Sequence, residues 1–462
     1  MPGFKYHHDK LDFSGKKILV VGLGVSGFCS ARWLAGQGSH VTVTDIRPES
    51  ELDHEVCMEL RDMGVNFETG GHRRETFLNA ELIIISPAVP RDMDFLCDAR
   101  KKGIPAIGEL ELAGRLIDTP IIAITGTNGK STVTTFLGFM LEHAGFKVFV
   151  GGNIGTPLMS YVAGERDADY VIAEVSSFQL DTIELFCPLV SIVLNISPDH
   201  LDRYPDYETY VLSKLKIFEN QRSGQYVILN DNDERLASVR PASGVSVLRY
   251  GLEKKQGRHA CFEDDKVKAR IDDMPYNYFS IDSFNLPGRH NLENLLSVVL
   301  VGLSLNIETA AIQEAIDEFR GLPDRLEYVA ESKGVGFYND SKATNVDAAV
   351  MAIMAFDCPI VLIAGGRHKG ADYSPLVMAA VGRVKMAVLI GEARGLLAES
   401  FEGVIPYLMA EDMEEAVSTA FSCAVSGDTV LLAPACSSFD MFSDYSHRGR
   451  IFMAAVEELA CV

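Results

Sequence analysis

The sequence predicts an α/β protein of three domains, each built around a mostly parallel sheet. Short apolar runs that end in polar or glycine-rich turns alternate with helical patterns along the chain, as parallel strands joined by helices do. At 462 residues the chain is too long for one core, and the length prior gives roughly three domains. Two strand-to-helix turns carry glycine loops of the kind that approach phosphates closely.

The elements follow in order. "KKILVVGLGVSG" opens the first unit, and "HVTVTDIR" and "ELIIISPAVP" supply further strands. At "IDTPIIAITG" a strand starts after Pro120, which places a boundary just upstream and makes residues 1–109 the first domain. "YVIAEVSS", "LVSIVLNISPDH" and "QYVILNDND" continue the second. "ETAAIQEAIDEFRGLPDR" predicts a helix with Ala311, Ile312, Ala315, Ile316 and Phe319 on its apolar face, stopped by Gly321 and Pro323. Residues 110–321 and 322–462 are then the second and third domains. In the third, "GVGFYNDSKATN", "PIVLIAGGRHKG", "KMAVLIGEA" and "DTVLLAPACSS" are four strand candidates. A capping box from Asp412 to Glu415 predicts a helix that closes at Gly427.

Composition narrows the function classes. Apolar residues make up 47% and charged residues 23%, ordinary values for a globular chain. A formal net charge of −22 argues against a broad surface for nucleic acid or anionic membrane, though a few cations, backbone amides or a metal can still hold small anions locally. No apolar run reaches the ~18 residues of a membrane span. The opening "MPGFKYHHDKLDF" lacks the features of a signal peptide. Nine cysteines are an odd number and none forms a CxxC, so neither a disulfide framework nor a zinc site is indicated. The expectation is a reduced cytoplasmic monomer with no nucleic-acid partner and no membrane insertion.

Ligands of open α/β sheets bind beyond the carboxyl ends of the strands, so polar residues there are the candidates. In "IIAITGTNGKSTVTTFLGFM" Thr125 ends a strand, and Val133, Phe136, Leu137, Met140 and Leu141 repeat at helical spacing after Lys130. Between them lie Gly126, Thr127, Asn128, Gly129, Lys130, Ser131 and Thr132. Glycines let backbone amides converge on phosphate oxygens, a lysine at the loop's end reaches the outer phosphates, and a hydroxyl can take Mg²⁺. The common spacing would put a glycine where Ile124 stands; Gly126 lies only four residues before the lysine. The alternative is a strand–helix turn with chance glycines. The earlier loop, Gly22, Gly24 and Gly27, is followed by Asp45 at the end of the next strand, the pattern of a dinucleotide fingerprint. Alone it points to NAD, but the same turn can cradle another nucleotide's diphosphate, and Arg47 is a possible partner for a base or phosphate.

"GTNGKST", "GGNIG", "EVSSFQLD", "SPDHLDRY", "SKLKIFEN", "PGRHNLENLLS", "LPDRLE", "NDSKATN" and "LAPACSSFD" occur in this order across nearly the whole chain. Together they resemble the Mur ligase family, and the first glycine loop, "DSKATN" and "PACSSFD" are most similar to its D-glutamate-adding branch. The resemblance implies a Rossmann-like N-terminal domain for a UDP-sugar substrate, a central P-loop ATPase-like parallel sheet and a Rossmann-like C-terminal domain. It implies ATP-dependent addition of D-glutamate to UDP-N-acetylmuramoyl-L-alanine through an acyl phosphate and a tetrahedral intermediate, with two Mg²⁺ ions.

By the same resemblance Lys130 meets the β- and γ-phosphates. Ser131, Glu174, His200 and Lys214 hold metal, with His200 and Lys214 joining Lys130 as catalytic residues. Lys214, on a predicted helix, is the lysine that CO₂ carbamylates in the family, turning a cation into a metal-binding anion; a neutral amine is needed, so a lowered pKa would help. His290, Asn291, Asn294, Arg325 and Asp340 correspond to ATP contacts. Val25, Ser26, Asp45, Arg47, Ser86 and Asn153 are candidates for the UDP substrate. Lys342, Thr344, Lys369, Ser438, Phe439 and Tyr445 are candidates for D-glutamate. "GGRHKGADY" departs from the family pattern at Arg367 and His368. The competing readings are an NAD-linked oxidoreductase, a P-loop regulatory ATPase, and a related ligase adding another amino acid or extending folate.

Overall fold

A computed structural model of the chain describes residues 12–199, 203–284, 286–368 and 370–460. One compact unit runs to Ser280 and includes Asn294–Ala315; a second comprises Ile281–Glu293 and the chain from Ile316 onward. The first unit holds two sheets and the second holds one.

The first sheet consists of β1 (Lys17–Val21), β2 (His40–Asp45), β3 (Asn66–Thr69), β4 (Leu82–Ile85) and β5 (Ala106–Gly108), all parallel, in the order β3-β2-β1-β4-β5. β1 is an unbroken apolar run because both its faces are covered. Ile18 and Val20 pack with Ala31 and Leu34 on one side, and Leu19 and Val21 with Phe77, Leu96 and Ala99 on the other.

The second sheet has β6 (Ile121–Thr125), β7 (Val148–Gly152), β8 (Tyr170–Glu174), β9 (Val190–Val193), β10 (Tyr226–Asn230) and β11 (Ser246–Tyr250) in parallel. It is extended by β12 (Ala260–Glu263), β13 (Lys266–Ala269) and β14 (Asn277–Ser280), and its order is β14-β13-β12-β11-β10-β9-β6-β8-β7. The β12–β14 part is antiparallel, a departure from the expected parallel pattern. Its first turn is only Asp264 and Asp265, both at positive φ (51° and 56°), the conformation a two-residue hairpin requires.

The third sheet has β15 (Glu327–Ser332), β16 (Val335–Asn339), β17 (Ile360–Gly365), β18 (Val384–Ile390), β19 (Tyr407–Met409) and β20 (Thr429–Leu432), ordered β15-β16-β20-β17-β18-β19. The four expected strands are joined by two edge strands, of which β15 is antiparallel. Both are half-exposed, so neither carries a buried apolar run. β17 is buried throughout, with Leu362 and Ala364 facing one core and Val361 and Ile363 the other.

The helix Met413–Cys423 starts as expected, with Asp412 Oδ1 accepting from the Glu415 amide (2.8 Å). Glu415, however, returns its carboxylate to the Glu411 amide (2.8 Å), one residue upstream of the cap. The helix ends before Gly427, which at φ 94° instead turns the chain into β20 and donates to Gly334 O.

In each sheet the strand order reverses where a candidate site loop leaves: between β1 and β4, around β6, and among β16, β20 and β17. Such switch points open a crevice at the carboxyl ends of neighbouring strands, which is where a ligand finds room.

Glu109, just past β5, is wholly buried and joins the first sheet to the second. Its Oε1 accepts from the Met159 amide (2.7 Å) at the start of helix Leu158–Ala163, and its Oε2 has no partner among the described residues. Burial pushes its pKa from about 4.5 up to about 7, against the opposing amides of Met159 and Leu158. A carboxyl raised in the folded state favours folding below its unfolded pKa, and that contribution is lost as pH rises through the folded value. Wild-type protein is therefore expected to lose stability relative to Glu109→Gln between pH ~4.5 and ~7, with a constant gap above. Urea unfolding of both proteins at pH 5 and pH 8 checks this, and a wild type that gains stability relative to Glu109→Gln as pH rises would contradict it.

Candidate active site

The first glycine loop is built by close approach. Gly22 is at φ 88°, and a Cβ on Gly27 would stand 2.0 Å from Gly22 O, so the turn into helix Val25–Gly36 requires glycine at both positions. Val25 is exposed and Ser26 half-buried at the amino end of that helix. Ser86 spends its hydroxyl on Gly22 O (2.7 Å). Asp45 accepts from the Leu23 amide (2.7 Å) and from the Arg47 amide, Nε and Nη2 (2.9, 3.0 and 2.9 Å). Burial opposes ionisation of Asp45, but these donors overcome it and hold the pKa down to about 2. Its carboxylate braces the loop, with nothing left over for a ribose hydroxyl. Arg47 remains half-exposed.

The second glycine loop, residues 126–132, is zipped to the exit of β9. The Thr127 amide donates to Asn195 O (2.9 Å) and the Asn128 amide to Asn195 Oδ1 (2.8 Å), while Asn195 Nδ2 returns a bond to Asn128 O (3.1 Å). Thr127 Oγ1 lies 3.1 Å from the Tyr210 hydroxyl and accepts from the Ser197 amide (3.0 Å). Gly129, at φ 82°, caps helix Lys130–His143, and a Cβ there would lie 2.6 Å from Asn294 Oδ1. Ser131 and Thr132 occupy the first turn of that helix, where amide dipoles favour an anion. The apolar positions Val133, Phe136, Leu137, Met140 and Leu141 are all buried, as the spacing predicts.

Two amines meet at this loop. Lys130 Nζ donates to Gly126 O and Thr127 O (both 2.9 Å), and Lys214 Nζ donates to the same Gly126 O (2.7 Å). Lys214 lies in the last turn of helix Tyr207–Leu215, is 2% exposed, and stands 4.7 Å from the Tyr210 ring centroid. Burial, then the charge of Lys130, pull its pKa down to about 7, while Asp199 and Glu174 act the other way. Lys216 by contrast sits on a different face and pairs with Asp181 (3.1 Å). Glu174, at the end of β8, is buried; its Oε1 accepts from Asn153 Nδ2 (2.8 Å) and its Oε2 has no partner among the described residues. An orphaned buried carboxylate oxygen suits a cation. Asn153 is thus held against Glu174 by its amide as well, which donates to Glu174 O (2.8 Å). His200 lies outside the described residues.

In the second unit Asp340 follows β16 directly. Burial pushes its pKa up to about 7, against the Arg325 guanidinium and the Leu326 amide. His290, on helix Arg289–Ser304, is held below the ordinary imidazole range by burial. Asn291 Nδ2 donates to Pro287 O (2.7 Å). Lys342 Nζ stands 5.1 Å from the Tyr445 ring centroid, and the Thr344 amide donates to Lys342 O (2.7 Å). Ser438 is buried and Phe439 exposed, both on the loop after β20. Lys369 lies outside the described residues.

Three residues escaped the sequence analysis. Asn195 at the end of β9 met the strand-end criterion, and Tyr210 lies four residues before Lys214 on one helical face, so a signal existed for both. Arg448 had none. Fully buried, it donates to Ser341 O (2.8 Å), Ser341 Oγ (3.0 Å) and Cys436 O (3.1 Å), tying the loops after β16 and β20 to helix Tyr445–Ala460.

Comparison with known proteins accords with this arrangement. Residues 16–108 match the profile "Mur ligase MurD-like, N-terminal domain", 124–302 "Mur ligase middle domain" and 324–436 "Mur ligase, glutamate ligase domain". The chain is 43% identical over 450 residues to the UDP-N-acetylmuramoylalanine–D-glutamate ligase of Koribacter versatilis, covering 97% of this chain and 99% of that protein. It is 42% identical over 449 residues to the enzyme of the same name from Desulfosudis oleivorans, covering 97% and 98%. Among solved structures, a pseudomurein peptide ligase type C from Methanothermus fervidus shares the fold at a TM-score of 0.55 and 21% identity, over 96% of this chain and all of that one. The UDP-N-acetylmuramate-alanine ligase MurC of Thermotoga maritima does so at 0.55 and 19%, over the same shares. With three successive profiles and relatives aligned end to end, the chain belongs to the Mur ligase family.

Proposed function

We infer that this chain is an ATP-dependent carbon–nitrogen ligase that adds D-glutamate to UDP-N-acetylmuramoyl-L-alanine in peptidoglycan precursor synthesis. The observation that carries the reading is identity of 43% along 97% of the chain to a relative named for that reaction. All three sheets take part in the match, not the ATP-binding one alone. The oxidoreductase reading fails on Asp45, whose carboxylate is taken up by Leu23 and Arg47.

The lobes 1–109, 110–321 and 322–462 are assigned to the UDP substrate, to ATP and to the amino acid. The limits have support in the strands of the three sheets, which fall within 17–108, 121–280 and 327–432. Val25, Ser26, Arg47 and Asn153 take the UDP substrate, with Asp45 and Ser86 shaping the loop around it. ATP lies on residues 126–132, with Asn294, His290, Asn291, Arg325 and Asp340 as further contacts. Lys342, Thr344, Lys369, Ser438, Phe439 and Tyr445 receive D-glutamate.

A carboxylate is a poor acyl donor. Its oxygen attacks the γ-phosphorus, the bond to the bridging oxygen breaks, and ADP departs. The amine of D-glutamate then attacks the acyl carbon, loses a proton, and phosphate leaves from the tetrahedral intermediate. All the reactants are anionic, so positioning and charge neutralisation carry the catalysis. Lys130 exchanges the carbonyls of Gly126 and Thr127 for phosphate oxygens. Ser131, Glu174, His200 and Lys214 would hold two Mg²⁺ ions, which neutralise phosphate charge when bound. The orphaned Oε2 of Glu174 fits such a role. Lys214, with a pKa near 7, has the neutral amine that CO₂ requires, and the resulting carbamate supplies a second anion. Among the described residues no helix is long and apolar enough to cross a membrane. The proposed enzyme acts as a cytoplasmic monomer on small nucleotide-linked substrates.

A phosphate-release assay over a panel of amino acids tests the reading. Release should require ATP, UDP-N-acetylmuramoyl-L-alanine and D-glutamate together; release without the amino acid, or with another preferred, would refute it. Lys214→Ala should lose at least about a hundredfold in kcat, as removal of one preorganised electrostatic group does. Acetate or formate should restore part of that by standing in for the carbamate. Absence of any rescue would remove the carbamate assignment.

A further inference from the structure

The segment "GGRHKGADY" leaves β17, and its described residues are tied to the loop after β20. Arg367 pairs with Ser437 through the main chain, its amide donating to Ser437 O (2.8 Å) and the Ser437 amide to Arg367 O (3.2 Å). A second link runs through side chains. His368 Nδ1 lies 2.9 Å from the Tyr373 hydroxyl, and that hydroxyl lies 3.1 Å from Cys436 Sγ. Tyr373 and Cys436 are 5% and 1% exposed, whereas His368 reaches solvent. The imidazole and phenol also pack, with ring centroids 5.5 Å apart.

Donor chemistry orders this series. An imidazole nitrogen is a much better acceptor than a thiol sulfur, so the phenol O–H points to Nδ1 and the thiol S–H to the phenol oxygen. Burial and the neighbouring Cys436 keep the phenol protonated, and so a donor. With Nδ1 accepting, the neutral ring carries its proton on Nε2, and that nitrogen has no partner among the described residues. The outcome is a half-exposed N–H of fixed orientation, on a loop bonded to the one that carries Ser438.

We propose that His368 is a substrate-binding residue whose Nε2–H donates to a carboxylate of the incoming amino acid, with Tyr373 and Cys436 as positioning residues that fix its tautomer. This rests on reading the third sheet as the amino-acid lobe. The two carboxylates of a dicarboxylate present many lone pairs, and a neutral imidazole adds a donor beside the lysines and hydroxyls assigned there without a further buried charge.

Kinetics and ¹⁵N NMR of imidazole-labelled enzyme test it together. His368→Ala should raise the KM for D-glutamate about tenfold, the loss of one hydrogen bond to a charged partner, with KM for ATP and the UDP substrate unmoved. His368→Asn, which retains an N–H donor, should recover part of it. In the wild type the His368 resonances should report an Nε2–H tautomer, with Nε2 shifting on addition of D-glutamate. Tyr373→Phe, which keeps the ring, should give mixed tautomers and an intermediate KM. An Nδ1–H tautomer in the wild type, or an unchanged KM in His368→Ala, overturns the assignment. If the wild type fails to use D-glutamate while Nε2 responds to another amino acid, the D-glutamate reading falls and the role of His368 stands.

Discussion

Two amines converge on one carbonyl oxygen. Lys130 and Lys214 both donate to Gly126 O, and Lys214 is sealed from water. Two full cations so placed would repel each other in a medium that screens poorly, and burying even one costs several kcal/mol. The protein meets this by weakening the charge of Lys214, whose pKa is pulled down to about 7 by burial and by Lys130. The orientation of Gly126 O, the shape of the loop and the chemistry available to Lys214 are thus one problem with one solution. Glu174 and Asp199 lie close enough to draw Lys214 back toward the cationic form, so the balance is poised.

The same building rule recurs at each switch point. A loop that leaves a strand is locked by polar groups of its neighbours before any ligand arrives. Asp45 and Ser86 lock the first glycine loop, Asn195 and Thr127 the second, and Arg448 the loops after β16 and β20. Each lock satisfies backbone groups that would otherwise sit unpaired at the end of a buried strand. Order fixed during folding need not be bought again from substrate binding, which is what catalysis by positioning requires.

Much of this was legible in the sequence, for identifiable reasons. Continuous apolar runs such as Ile360–Gly365 mark buried parallel strands, and their polar ends mark the site. The edge strands Glu327–Ser332 and Tyr407–Met409 escaped because a half-exposed strand has no such run. The hairpin at Asp264 and Asp265 escaped because a pair of aspartates is a weaker turn signal than Asn-Gly. At the site, spacing exposed Lys130, whereas Lys214 needed the family resemblance, since nothing local marks a lysine as buried. Asp45 was visible as an acid at a strand end, but its partner Arg47 turned it from a ligand group into a brace. Tyr373 and Cys436 stand 63 residues apart, and no local pattern links them.

The central claim is that the loop stands preformed and that Lys130 rests on carbonyls which phosphate displaces. A crystal structure of the enzyme with Mg²⁺ and ADP tests it most directly. The account predicts the β-phosphate on the amides of residues 129–132, with Lys130 Nζ moved from Gly126 O and Thr127 O onto a phosphate oxygen and the bond between Thr127 and Asn195 unchanged. Nucleotide bound elsewhere, or bound there with Lys130 still on both carbonyls, would contradict it.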